Sequence, residues 1–161
     1  MIEEYIQEAI GFYTQASVRL EKNLASTSED RLHWSPSATA RSPLAIAVHC
    51  GLAVKGMTKS LKGVEEPSPE MSPADMDNWL REQEKAVTTR DQALALLHEA
   101  NDEHISWLRT ITPDVLSGTT NLGFGPMPTK LVIHIVAGHL HDHAAQIEYI
   151  QTIYGDREWR M

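Results

Sequence analysis

One cysteine, Cys50, is all that the 161-residue chain offers, so no intrachain disulfide can form and a cysteine-rich zinc site is excluded. Basic residues are also scarce, 14 Lys and Arg against 22 Asp and Glu, giving a net charge of −8. Phosphate binding needs a concentrated basic surface, and no such patch is visible, which argues against nucleic acid or an anionic membrane as the main partner. No apolar run approaches the ~18 residues of a membrane span. The first residues, MIEEYIQEAI, lack the basic start of a secretory signal. These absences lead to the expectation of a cytoplasmic protein. There is no GxxxxGK ahead of a helix, no internal repeat, no low-complexity tract and no convincing strand.

What is present is helical periodicity. Hydrophobic residues make up 42% and charged residues 22%, ordinary for one globular domain covering residues 1–161. Tyr5, Ile6, Ala9, Phe12, Tyr13, Ala16 and Leu20 mark an amphipathic helix from Ile2 to about Leu24. A polar stretch with Pro36 follows and reads as an extended loop, with Trp34 plugging one end of the core. Ser42 as N-cap and Pro43 in the first turn open a second helix to about Leu61, stopped by Gly63. Residues 63 to 73 form an acidic, proline-punctuated linker, and Ser72-Pro73 starts a short helical turn through Trp79. Thr89 and Gln92 form a capping-box pair ahead of a third long helix to Ile111. A Gly/Pro loop, SGTTNLGFGPMP, leads to the last helix, Leu131 to Tyr154. The fold class expected is all-α, a four-helix bundle with sites built from inward side chains on facing helices.

The last helix, LVIHIVAGHLHDHAAQIEYIQTIY, carries the chemistry. Val132, Ile135, Val136, Ile147, Ile150 and Ile153 share one face at ~100° per residue, and His139, His143 and Gln146 fall within it. Histidines at i and i+4 can present nitrogens to one point. The spacing alone is weak, but a shared cation would satisfy two buried imidazoles at once. His49 sits in the middle of the second helix's apolar face, with Ala45, Ala53 and Gly56 leaving room around it. Three neutral imidazoles, His49, His139 and His143, would leave an open position on a divalent cation: zinc, nickel or manganese. Water there becomes a nucleophile near pH ~7, and a thiol is held as thiolate. Cys50 lies off that face and is expected in the core or at its edge. Asn101 and His104, on the third long helix, read either as a hydrogen-bonded core pair or as pocket groups. His134 and His141 lie nearly opposite His139 and are expected to be solvated or at a subunit contact.

Taken in order, Trp34-Ser35-Pro36, Ser42-Pro43 to Ile46 and His49, then His139-x-x-x-His143-x-x-Gln146-Ile147, resemble the DinB/YfiT-like superfamily over nearly the whole chain. The resemblance implies a DinB-type four-helix bundle, often a homodimer, with the metal triad at His49, His139 and His143. It also implies enzymes that include S-transferases for low-molecular-weight thiols and metal-dependent hydrolases. One departure stands out. Family members commonly carry a glutamate about a turn after the second helix's histidine, where this chain has Ala53, Val54 and Lys55. Gln146 cannot replace it as a base, and Asp142 reaches only an outer-shell position, which weakens general acid/base chemistry. Thiol transfer to a small-molecule electrophile tolerates that loss better than amide hydrolysis, because a metal-held thiolate is already the nucleophile. A hydrolase would need Asp142 or Glu99 near metal-bound water. The alternative from another class is a non-enzymatic binding or stress-response module whose metal is structural or vestigial.

Overall fold

The computed structural model describes residues 2–64 and 72–158. Most of the expected linker at 63–73 and the last three residues of the expected tail lie outside them. Seven helices and one hairpin are seen among the described residues: α1 (Ile2–Ser26), α2 (Glu29–Leu32), α3 (Pro43–Leu61), α4 (Pro73–Glu84), α5 (Arg90–Leu108), α6 (Pro113–Ser117), β1 (Thr119–Asn121), β2 (Pro126–Pro128) and α7 (Thr129–Ile153). The long helices α1, α3, α5 and α7 form a four-helix bundle. In it α1 packs chiefly along α7, α3 packs along α5, and α3 also meets α7.

The helix starts are set locally. Ser42 accepts a hydrogen bond from the Ala45 amide with Pro43 in the first turn, and Thr89 and Gln92 complete a reciprocal capping box on α5. Gly63, at φ 70°, follows the end of α3 in the left-handed region that favours glycine. On α1, Ala9, Tyr13, Ala16, Leu20 and Leu24 recur every three or four residues and are all buried. Burial on α3 extends nearly all round, through Ala47, Val48, Cys50, Gly51 and Val54, because neighbours cover it on several sides. Gly51 permits the α3–α5 approach: a Cβ there would lie 2.7 Å from Leu96 Cγ. Arg19 grips Glu148 with two parallel bonds of 2.8 and 2.6 Å, fastening α1 to α7.

Several expectations are corrected. The stretch after Ser26 contains the helical turn α2 before it becomes irregular. Helix α4 runs past Trp79 to Glu84, a polar helix supported by the i,i+4 pair Asp77–Arg81 at 2.7 Å. The Gly/Pro loop folds as an antiparallel hairpin pairing Thr119 with Pro128 and Asn121 with Pro126. Two prolines fit because a two-stranded ribbon consists only of edges. On α7 the buried stripe runs through Val136, Ala137, Leu140, Ala144 and Ile147, so Ile153 is 49% exposed and His139 and His143 stand at the stripe's margin rather than its centre. No helix among the described residues is long and apolar enough to cross a membrane.

Candidate metal centre

Helix α3 brings His49 against α7 where His139 and His143 stand one turn apart. The ring centroids lie 5.1 Å apart for His49 and His139, 4.8 Å for His49 and His143, and 4.4 Å for His139 and His143. One ligating nitrogen from each falls within 4.8 Å of the other two, the one such group of three among the described residues.

Two of the imidazoles are oriented from behind. His49 Nδ1 donates to Glu84 Oε1 at 3.1 Å, and His143 Nδ1 donates to Gln146 Oε1 at 2.7 Å. Protons on Nδ1 leave the Nε2 lone pairs available, the arrangement by which outer partners fix a metal-binding histidine's tautomer. The Nε2 of His139 is shielded from solvent and has no hydrogen-bond partner. Such a buried atom costs about 1–3 kcal/mol unless something satisfies it, and a cation shared with the other two rings would do so. Burial, then the nearby His143, His49 and Arg41, push His139 down to about 3. Burial likewise lowers His143, against the opposing hydrogen bond to Gln146. Both are therefore neutral at pH 7, the form that binds a metal. The residues present fit a divalent cation held by three imidazoles.

Glu84 was not anticipated from the sequence. It comes from the end of α4, is 7% exposed, and receives Arg41 Nε at 3.0 and 2.9 Å on its two oxygens. Burial would raise its pKa, but the bonds from His49 and Arg41 win and lower it. Arg41 in turn holds Asp77 at 2.7 Å, and Asp77 holds Arg81 at 2.7 Å. Glu84 thus orients His49 and is poorly disposed to accept a proton. The glutamate expected a turn after His49 is absent from α3, and a carboxylate from a different helix reaches the same imidazole.

The remaining candidates are placed as follows. Gln146 and Asp142 are both exposed; Gln146 bonds His143, whereas Asp142 acts on His143 only through its charge. Glu99 pairs with Lys55 at 2.8 Å on the surface. Asn101 and His104 are buried and bond groups other than the triad. Asn101 receives the Tyr13 hydroxyl at 2.6 Å and donates to Ser17 and Glu21 at 2.6 and 2.9 Å. His104 Nδ1 bonds the Thr58 hydroxyl at 2.9 Å, and burial lowers its pKa to about 4. Cys50 is fully buried, and that burial raises its pKa. Trp34 meets Tyr154 edge-on at 6.0 Å, closing one end of the core. His134 is exposed, as expected, with the Tyr5 ring of α1 edge-on at 6.1 Å between centroids, whereas His141 is half-buried against the Phe12 ring at 5.0 Å.

The fold is a helical bundle whose α3 and α7 bring three histidines together in an arrangement that fits a divalent cation, and comparison with known families places it. The chain belongs to the DinB superfamily, whose family model matches residues 13–147. Three solved structures share the fold. A DinB-like protein, YjoA from Bacillus subtilis, is 12% identical with a TM-score of 0.69, covering 96% of each chain. A conserved protein from Enterococcus faecalis is 15% identical with a TM-score of 0.73, over 93% of this chain and 97% of the other. YfiT from Bacillus subtilis, described as a probable metal-dependent hydrolase with an unusual four-helix bundle topology, is 17% identical with a TM-score of 0.73, over 94% of this chain and 89% of its own. No curated protein matches the chain.

Proposed function

We propose that this chain is a metal-dependent enzyme in which His49, His139 and His143 hold zinc, nickel or manganese, and that it transfers a low-molecular-weight thiol to a small electrophile. The observation that carries the reading is the convergence of three imidazoles whose neighbouring carboxylate is already committed. Glu84 and Gln146 set the ring orientations from the Nδ1 side. The cation's contribution when bound is to hold a thiol as thiolate at neutral pH. A thiolate attacks without a separate base. Hydrolysis requires one, and Glu84 has Arg41 on both oxygens, Glu99 is paired with Lys55 on the surface, and Asp142 is exposed and acts on His143 only through its charge.

A metal-dependent hydrolase is the second reading, favoured by the likeness to YfiT. The two separate in one assay. Protein stripped with chelator and reloaded with each metal is offered small thiols with a bimane-type electrophile, and in parallel a panel of amides and esters. The thiol reading expects metal-dependent thioether formation that His139→Ala abolishes. Background rates across the thiol panel at full metal occupancy would overturn it. Turnover of an amide or ester would then establish the hydrolase, and silence in both panels a binding module with a structural metal.

A further inference from the structure

Helix α7 carries a second apolar stripe, on the side away from the core. Leu131, Ile135 and Gly138, then Asp142, then Ala145, Tyr149 and Ile153 recur every three or four residues, the spacing of a helix–helix seam. Asp142 is the one charge in it, and only Ile135 and Gly138 of the seven are even partly covered. Exposed apolar surface gathers on this side of the bundle: five of the nine large exposed hydrophobic residues among those described, Phe12, Val18, Leu131, Tyr149 and Ile153, stand on α1 and α7.

The stripe has the same order from either end. Leu131 and Ile153 stand eleven residues either side of Asp142, Ile135 and Tyr149 seven, and the small Gly138 and Ala145 four and three. A two-fold axis that lies in this face and crosses α7 at Asp142 sets α7 antiparallel to its copy. Large residues then meet at both ends, and the small ones let the backbones approach near the middle.

Helix α1 gives the same axis from its charges. Tyr5 lies beside His134, Phe12 beside His141 and Arg19 beside Glu148, so α1 and α7 run parallel and in step, and Tyr13 is level with Asp142. Glu4 and Lys22, both exposed, stand nine residues either side of Tyr13, and the exposed Gly11 and Gln15 stand two. An axis crossing both helices at that level puts Glu4 opposite the partner subunit's Lys22, an acid against a base, at each end of α1. An apolar pattern on one helix and a charge pattern on the other thus place the axis at one level. The two helices have 25 residues each, about 37 Å at 1.5 Å per residue. Side by side they offer a face on the order of 700 Å², close to the ~800 Å² per partner of a stable interface.

We propose that the outer face of α1 and α7 joins two copies of this chain as a two-fold homodimer, α7 antiparallel to its copy about Asp142, with Glu4 paired to the partner subunit's Lys22. Two Asp142 carboxylates approach at the axis, a like-charge contact that limits the affinity. Nothing in this arrangement depends on a bound metal.

The test is sedimentation of the full chain in chelator over a concentration series. A dissociable species of twice 18.0 kDa is expected. Ala145 is exposed, so Ala145→Glu keeps the helical far-UV spectrum while raising the dimer's Kd at least about thirtyfold. Glu4→Lys and Lys22→Glu each weaken association about fivefold, and the double variant, which exchanges the two charges, restores it. Asp142→Asn tightens the dimer. A chain that stays monomeric at every concentration, or a dimer indifferent to Ala145→Glu, overturns the interface. A double variant no tighter than either single one overturns the antiparallel pairing.

Discussion

Glu84 Oε1 lies 3.1 Å from His49 Nδ1 although 35 residues separate them. The same carboxylate holds Arg41, so one acid from a weakly buried helix orients the imidazole of α3 and neutralises a largely buried guanidinium.

Replacing Glu84 by alanine therefore has two consequences. Loss of the outer partner of a metal-binding histidine lowers metal affinity about 10- to 100-fold. Arg41 keeps Asp77 but loses its more buried partner, which costs about 2 kcal/mol of stability. Zinc titration and urea unfolding in chelator read the two effects separately.

The Tyr13–Asn101 bond, 2.6 Å and buried, belongs to the core between α1 and α5. Tyr13→Phe leaves Asn101 Oδ1 without its donor and is expected to destabilise by about 1–3 kcal/mol. Metal stoichiometry and turnover stay at the wild-type level. A change in KM without loss of stability would instead make Asn101 a substrate contact.

His104 gives the fold a pH dependence of defined sign. Burial lowers its folded-state pKa to about 4, below the ~6.5 of an unfolded histidine. The unfolded chain thus binds the extra proton first. The stabilisation is complete above pH ~6.5 and is lost as pH falls towards 4. Between pH 7 and 4.5 the wild type loses about 2–3 kcal/mol more than His104→Leu, measured by urea unfolding in chelator.

The parts of this structure that are local in sequence were legible there. Ser42-Pro43 and the Thr89/Gln92 box act across three residues, and both helix starts stand where those signals place them. His139 and His143 share a helix face by spacing alone, and the apolar periodicity of α3 supplied His49. Glu84 was not legible, because one of 22 acids had to be chosen by a tertiary return from a predominantly polar helix. The absence of apolar residues after Leu80 hid the second half of α4. The hairpin was masked by Pro126 and Pro128, which argue against any strand paired on both sides but not against an isolated ribbon. His134 is exposed as its place on the helix led one to expect, whereas His141 is half-buried because the Phe12 ring beside it comes from α1, more than a hundred residues earlier.

The central claim is that His49, His139 and His143 form one metal centre, and its most direct test is elemental analysis of the purified protein beside His139→Ala. The account predicts about one equivalent of zinc, nickel or manganese in the wild type, lost in the variant, with a thermal melt that falls on chelation only in the wild type. A wild type without metal that refuses it on titration, with a melt indifferent to chelator, would contradict it.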